Sequence, residues 1–292
     1  MKKKNPCIAV IGGDNRQGYL ADALAKDGMD VIVNGLEKFP GLHKARFLSD
    51  TAEAIEQADI IILPVPVSHD GVTVNAPYSY SVIYLSDVLA AAAPDQLILG
   101  GKIDPGFRAS LADQGLHAID YLAREELSIR NAIPTAEGAL AIAIGETSVT
   151  LFGSKCLVIG YGRLGKILAA YLRDLGAQVT VSARKQADLA WILAAGCQPV
   201  RTADIYGELG SYDVIFNTVP ALILGRRELQ KCRQDAVIID LASAPGGLDY
   251  DVAQQLGIKA IQALSLPGKI APASAALIIK DTILNIIREE TV

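Results

Sequence analysis

The sequence predicts an α/β fold: two doubly wound, parallel-sheet, Rossmann-like domains with a cleft between them. Three observations lead there. Short apolar runs alternate with helical patterns along most of the 292 residues. A glycine signature, Gly160-x-Gly162-x-x-Gly165, sits between one such run and one such pattern. The composition, 51% hydrophobic and 20% charged, is that of a globular chain with apolar residues enough for two cores.

Taken in order, Cys7–Gly13 reads as a strand, Arg16–Lys26 as a helix, Asp30–Asn34 as a strand and Thr51–Gln57 as a short helix. Asp59–Pro64 is a third strand, Tyr84–Ala93 a helix, Gln96–Gly101 a strand, Gly106–Gln114 a helix and His117–Asp120 a last strand. Residues 1–130 are therefore expected to form a flavodoxin- or Rossmann-like substrate domain, joined by a C-terminal helix over 272–292. Its first turn, Gly12 to Gly18, lacks dinucleotide spacing but aims a helix start and Arg16 at the strand ends, where open α/β sheets bind ligands. Asp14 reads equally as a turn cap or a ligand contact. After Asp70-Gly71, Val72-Thr73-Val74 suggests a small hairpin; His69 beside it is a loop residue that either carries a proton or simply faces solvent.

Arg124 to Glu146 reads as helix, break, helix, with Pro134 at the break and Thr135 and Glu137 in the new first turn. Ala136 to Ile144 is almost entirely small or apolar, which predicts a buried helix, so residues 131–150 are assigned as an inter-domain helix. A Glu near a helix start complements the dipole whether or not it has any other task.

Residues 151–271 read as an NAD(P)-binding Rossmann domain, with strands Lys155–Gly160, Gln178–Ser182, Gln198–Val200, Asp213–Asn217, Ala236–Asp240 and Lys259–Ile261. Gly160 allows the tight turn, Gly162 lets a pyrophosphate approach the backbone, and Gly165 lets helix pack on strand. Tyr161, Arg163 and Leu164 lie between them. The signature alone is common; its place between strand and helix, with a second strand about 20 residues on, is what gives it weight. That second strand ends Ser182-Ala183-Arg184-Lys185, without the acid that holds an NAD ribose. Ser182 and the two cations suit a 2′-phosphate, so NADP is expected rather than NAD, unless Arg184 and Lys185 merely open the next helix in solvent. Two further strand ends, Thr218-Val219-Pro220 and Leu241-Ala242-Ser243, would lie beside the nicotinamide. The chain closes with Leu266-Pro267-Gly268-Lys269 and an amphipathic helix to about Arg288, whose start is suited to a carboxylate.

The net charge of −5 and the lack of a basic patch alternating with aromatics argue against a nucleic-acid partner. No apolar stretch is long enough for a bilayer; Met1-Lys2-Lys3-Lys4 resembles a signal start, but the run after Pro6 breaks at Gly12-Gly13-Asp14 and reads as a strand. Cys7, Cys156, Cys197 and Cys232 lie far apart with no His at ligand spacing, which predicts reduced cytoplasmic thiols and no metal site.

With these strings collected, the chain resembles the family of dipicolinate synthase A subunits from spore-forming bacteria, over nearly its whole length. The resemblance rests on Arg124-Glu125-Glu126-Leu127, Asn131-Ala132-Ile133-Pro134-Thr135-Ala136-Glu137-Gly138-Ala139, Gly153-Ser154-Lys155 and the glycine loop with Arg163. It continues in Ala183-Arg184, Asn217-Thr218-x-Pro220-Ala221, Ile239-Asp240-Leu241-Ala242-Ser243-x-Pro245-Gly246-Gly247 and Leu266-Pro267-Gly268-x-x-Ala271-Pro272. It implies NAD(P)-dependent oxidation of a dihydro- or 4-hydroxytetrahydro-dipicolinate to pyridine-2,6-dicarboxylate. It also implies work beside a flavoprotein-like B subunit in the mother-cell cytoplasm of a sporulating bacterium; a homo-oligomer is expected as well. Under that resemblance Glu137, Thr135 and Ser243 are the candidate catalytic residues. Arg16, Asn131, Thr135, Glu137, Pro267, Gly268 and Lys269 are the candidate contacts for a small dicarboxylate. A D-2-hydroxyacid dehydrogenase is the nearest rival, but it needs a histidine late in the nucleotide domain, and His43, His69 and His117 all precede it. Ala244 and Pro245 also stand near where that family carries an arginine. A protein that senses NADP without turnover is the remaining alternative.

Overall fold

The computed structural model describes residues 6–291, so the lysine-rich start and the last residue of the expected 272–292 helix lie outside the described residues. Met1–Asn131 with Ala271–Val292 form one compact unit and Ala132–Ile270 another. Each contains a six-stranded parallel sheet with helices on both faces.

In the first unit the strands are β1 (Cys7–Ile11), β2 (Asp30–Asn34), β3 (Arg46–Phe47), β4 (Ile60–Ile62), β5 (Leu97–Gly100) and β6 (His117–Asp120), in the order β3-β2-β1-β4-β5-β6. Both faces must be covered because every connection of a parallel sheet crosses back over it. Period-two alternation divides β1 accordingly. Ile8 and Val10 join Leu20 and Leu24 of α1 (Asn15–Lys26) on one face. Cys7, Ala9 and Ile11 meet Ile55 of α2 (Thr51–Glu56), Val88 of α3 (Leu85–Ala91) and Phe107 of α4 (Pro105–Asp113) on the other. The first face is closed by α11 (Pro272–Thr291), which buries Ala276, Ile279, Ile283 and Ile286 at helical spacing. The expected first strand stops at Ile11, because Gly12 and Gly13 take positive φ (63° and 111°) that bend the chain out of the sheet. The expected hairpin at 72–74 is reduced to one antiparallel bridge, Thr73 to Tyr84.

The second unit has β7 (Lys155–Ile159), β8 (Gln178–Ala183), β9 (Gln198–Arg201), β10 (Val214–Asn217), β11 (Val237–Asp240) and β12 (Lys259–Gln262), ordered β12-β11-β10-β7-β8-β9. Helix α6 (Arg163–Asp174) packs Leu168 and Leu172 with Cys156 and Val158 on one face. The other face carries Leu157, Ile159, Ile215 and Ile238 against Leu229 of α8 (Arg226–Leu229) and Val252 of α9 (Tyr250–Gln255). Helices α7 (Gln186–Ala194) and α10 (Leu266–Ile270) complete it.

One expectation is overturned. Instead of helix, break, helix, α5 runs unbroken from Glu125 to Glu146 with Pro134 inside it. Proline removes one backbone donor and costs an interior helix position about 3 kcal/mol. Burial on both sides of it outweighs that cost: Leu127 joins the first unit's core, and Ala136, Ala139, Leu140 and Ala143 join the second's. The helix is also not buried all round, since Ala141 is exposed and Ile144 is 62% exposed. Replacing Pro134 with Ala restores a donor to the ladder, and we expect about 1–2 kcal/mol of added stability in urea unfolding. A loss of stability would mean that packing of the buried proline ring outweighs the missing hydrogen bond.

Candidate dinucleotide site

The turn from β7 into α6 is built by glycines with different tasks. Gly160 has φ of 100°, and a Cβ there would lie 2.6 Å from Thr218 Oγ1. A Cβ on Gly165 would lie 2.1 Å from the Gly160 carbonyl oxygen, so helix and turn touch only because it is absent. Gly162 differs: a Cβ there would have no neighbour within 4 Å. It is the N-cap of the twelve-residue helix α6 and supplies no side-chain cap, at the positive end of the helix dipole. A pyrophosphate fits this cradle, and a side chain at 162 would intrude on it.

At the end of β8, Arg184 and Lys185 are exposed, and Lys185 is the N-cap of α7. Ser182 does not join them: it is fully buried, and Thr202 Oγ1 donates to its Oγ at 3.3 Å. The expected phosphate contact from Ser182 is therefore corrected, because strand pairing turns its side chain into the core. Ala183 is buried too, and in register with it stands Arg201, exposed at the end of β9. Beside Arg184 opens a cavity of about 350 Å³ lined by Thr202, Ile205, Tyr206, Leu222 and Ile223. The Arg227 guanidinium lies 4.2 Å above the Tyr206 ring. Sequence reasoning missed this pocket, since its residues come from three separate connections. A larger depression, about 620 Å³, involves Lys155, Gln178 and Gln198, the first residues of β7, β8 and β9. It lies at the opposite end of the strands from the glycine loop.

The Thr218 hydroxyl, expected to meet a ligand, donates to the Ile159 carbonyl at 2.9 Å and ties β10 to the end of β7. Val219 is half-buried and Pro220 exposed; Leu241 and Ala242 are buried, and Ser243 is exposed. Tyr161 packs partly into the core, and burial pushes its phenol above the ordinary value. Thr135 and Glu137 lie well inside α5, so neither sits at a helix start as expected; Asn131 is on the same helix, and Glu137 is exposed. On α10, Pro267 is buried, Gly268 half-buried and Lys269 exposed.

The matching turn of the first unit is occupied by its own chain. A Cβ on Gly12 would meet Val74 and Ala76 side-chain atoms at 3.0 Å, and Gly13 N donates to Asn75 O at 2.8 Å. Asp14 caps α1, accepting from Arg16 N at 2.9 Å, and so supplies the negative charge itself. Arg16 is not presented as a bare cation: its Nε and Nη2 grip Asp14, and Nη2 also donates to Val65 O. His69 stands in an exposed turn organised by Asp70, whose carboxylate is held well below the usual range by the Thr73 and Val72 N–H groups. Among the described residues, no three His, Cys, Asp or Glu side chains group as a metal site, and no helix is long and apolar enough to cross a membrane.

A parallel sheet with a glycine turn at its first strand end, and no side-chain cap on the helix that follows, gives the second unit the arrangement of a Rossmann-type dinucleotide-binding domain. In agreement, residues 137–265 match the family "D-isomer specific 2-hydroxyacid dehydrogenase, NAD binding domain". Residues 7–122 match the family of N-terminal domains of the dipicolinate synthase A subunit. Over 97% of its length the chain is 33% identical to the A subunit of dipicolinate synthase from Bacillus subtilis (strain 168), covering 96% of that protein. The crystal structure of the Bacillus subtilis A subunit superposes with a TM-score of 0.89 at 32% identity, over 99% of this chain and 97% of that one. Its counterpart from Bacillus halodurans gives 0.88 at 28%, over 96% and 97%. The chain belongs to the dipicolinate synthase A-subunit family.

The glycine geometry separates two variants. Gly162→Ala should cost less than about 1 kcal/mol of stability in urea unfolding, yet weaken dinucleotide binding at least about tenfold by calorimetry, because its methyl enters the cradle. Gly165→Ala should destabilise the unit by more than about 2 kcal/mol. The reverse ranking would mean that the pyrophosphate does not approach this turn.

Proposed function

We propose that this chain oxidises dihydrodipicolinate to dipicolinate with NADP, in the mother-cell cytoplasm of a sporulating bacterium and beside a flavoprotein-like second subunit. The observation that carries the reading is family membership over 97% of the chain, joined to a fingerprint turn whose helix start lacks a side-chain cap. When bound, the nicotinamide supplies a hydride acceptor.

The reaction removes one hydride and one proton from the ring and leaves an aromatic pyridine. Starting from the 4-hydroxytetrahydro compound, loss of water comes first. Aromatisation supplies much of the driving force, so the protein's main tasks are orientation and binding of two carboxylates. We assign the proton to Glu137, an exposed carboxylate, with Thr135 and Ser243 as hydroxyls for the substrate. Lys269, with Gly268 and Asn131, is the proposed carboxylate contact in the sequence strings of this family. Arg16 serves only if a substrate carboxylate exchanges with Asp14, an exchange that conserves its charge pairing.

NADP is preferred because the strand end after β8 offers Arg184 and Lys185, with Arg201 in register beside it and no acid among residues 182–187. A carboxylate at that place would repel a 2′-phosphate, whereas a guanidinium pairs with it.

Two measurements test this. Incubation with NADP and freshly generated dihydrodipicolinate, with and without the flavoprotein-like partner, should give the ultraviolet absorbance of the pyridine product in step with NADPH. Dinucleotide binding with no product in either case would leave a sensor instead of an enzyme. Arg184→Asp should weaken NADP by about ten- to a hundredfold and NAD by much less, read by calorimetry. Equal losses would mean that this guanidinium does not meet the phosphate.

A further inference from the structure

The ends of β10 and β11 meet around a carboxylate that has no exposed surface, that of Asp240. Asn217 Nδ2 donates to its Oδ1 at 2.8 Å, and Ala242 N to the same oxygen at 3.1 Å. Gly247 N and the Tyr250 hydroxyl each donate to Oδ2 at 3.0 Å. None of these four partners is a cation. A buried side chain held in this way needs its donors in place, because their loss leaves its oxygens unsatisfied away from water. Burial, and then Asp240 itself, hold the Tyr250 phenol well above its ordinary value, so it stays a donor.

The turn after β11 is shaped around this group. Gly246 has φ of 85°, and a Cβ on Gly247 would fall 2.0 Å from Asn217 Nδ2. Asn217 Nδ2 also donates to Val219 O at 3.0 Å, and the Gly247 carbonyl accepts from Ile223 N and Leu224 N. Residues 217–224 and 241–250 are thus fastened into one block by these backbone bonds and by the Asn217 and Asp240 side chains together.

We propose that Asp240 is a positioning residue that sets the nicotinamide half of the dinucleotide site while leaving the adenosine half untouched, an inference that rests on the dinucleotide reading above. The topology supplies the division. In this strand order β7, β8 and β9 form the first mononucleotide half, with Arg184 at its edge, and β10, β11 and β12 form the second. Asp240 belongs to the second half alone. Its block carries Thr218 to Pro220 and Leu241 to Ser243, and no part of it comes from β8 or β9.

The test is Asp240→Asn, which keeps the size but turns an NH₂ group toward converging donors. Binding is measured by calorimetry with NADP and with adenosine 2′,5′-bisphosphate, which carries the adenosine half only. Asp240→Asn should weaken NADP at least about tenfold and the bisphosphate by less than about twofold. Equal losses for both ligands, or none for either, would overturn the positioning role and leave the dinucleotide reading standing. A wild-type chain that binds neither ligand would end that reading and this inference with it. If Asp240→Asn does not fold, Tyr250→Phe, which removes one donor, decides: a selective loss of about threefold for NADP supports the role, and unchanged NADP affinity overturns it.

Discussion

The approach of α6 to the turn before it governs what the second unit is able to bind. With no side chain on Gly165, the start of the helix comes down onto the Gly160 carbonyl. Gly162, as the N-cap, offers the first N–H groups no side-chain cap. A helix start of that kind suits an anion. Arg184 and Lys185 stand exposed at the neighbouring strand end, where the proposed reading puts the 2′-phosphate.

The first unit shows that the fold alone does not confer this. Its strands follow the same order, yet its corresponding helix start is answered from within: Asp14 accepts from the backbone and from Arg16, and the segment holding Val74 and Ala76 lies over the glycine turn. The glycine turn of the second unit keeps free space at Gly162, and that of the first is covered by its own residues. The difference lies in a cap and a connection, which supports assigning function from the site rather than the architecture.

The glycine turn was legible in the sequence because its logic is local: three glycines, a strand and a helix within a dozen residues. Strand alternation was legible for the same reason, and both sheets follow from it except for β3, whose two exposed residues, Arg46 and Phe47, carry no apolar run. Pro134 misled because the rule against interior proline is local, while the burial of Leu127, Ala136 and Ala139 that overrides it comes from residues distant in sequence. Ser182 misled because both faces of β8 are covered, so its hydroxyl is buried and meets Thr202. Tyr206, Arg227 and the cavity beside Arg184 were invisible for want of any pattern joining three connections. Asp240 did leave a trace, as a charged residue closing the apolar run Val237-Ile238-Ile239, but its four donors are spread from Asn217 to Tyr250.

Family membership and the open turn support one account, in which the second unit holds a phosphorylated dinucleotide along its strand ends. The most direct measurement is a crystal structure of the chain grown with NADP. The account predicts pyrophosphate oxygens on the first N–H groups of α6 and the 2′-phosphate beside Arg184. A dinucleotide bound elsewhere, or one whose pyrophosphate lies away from Gly162, would contradict it.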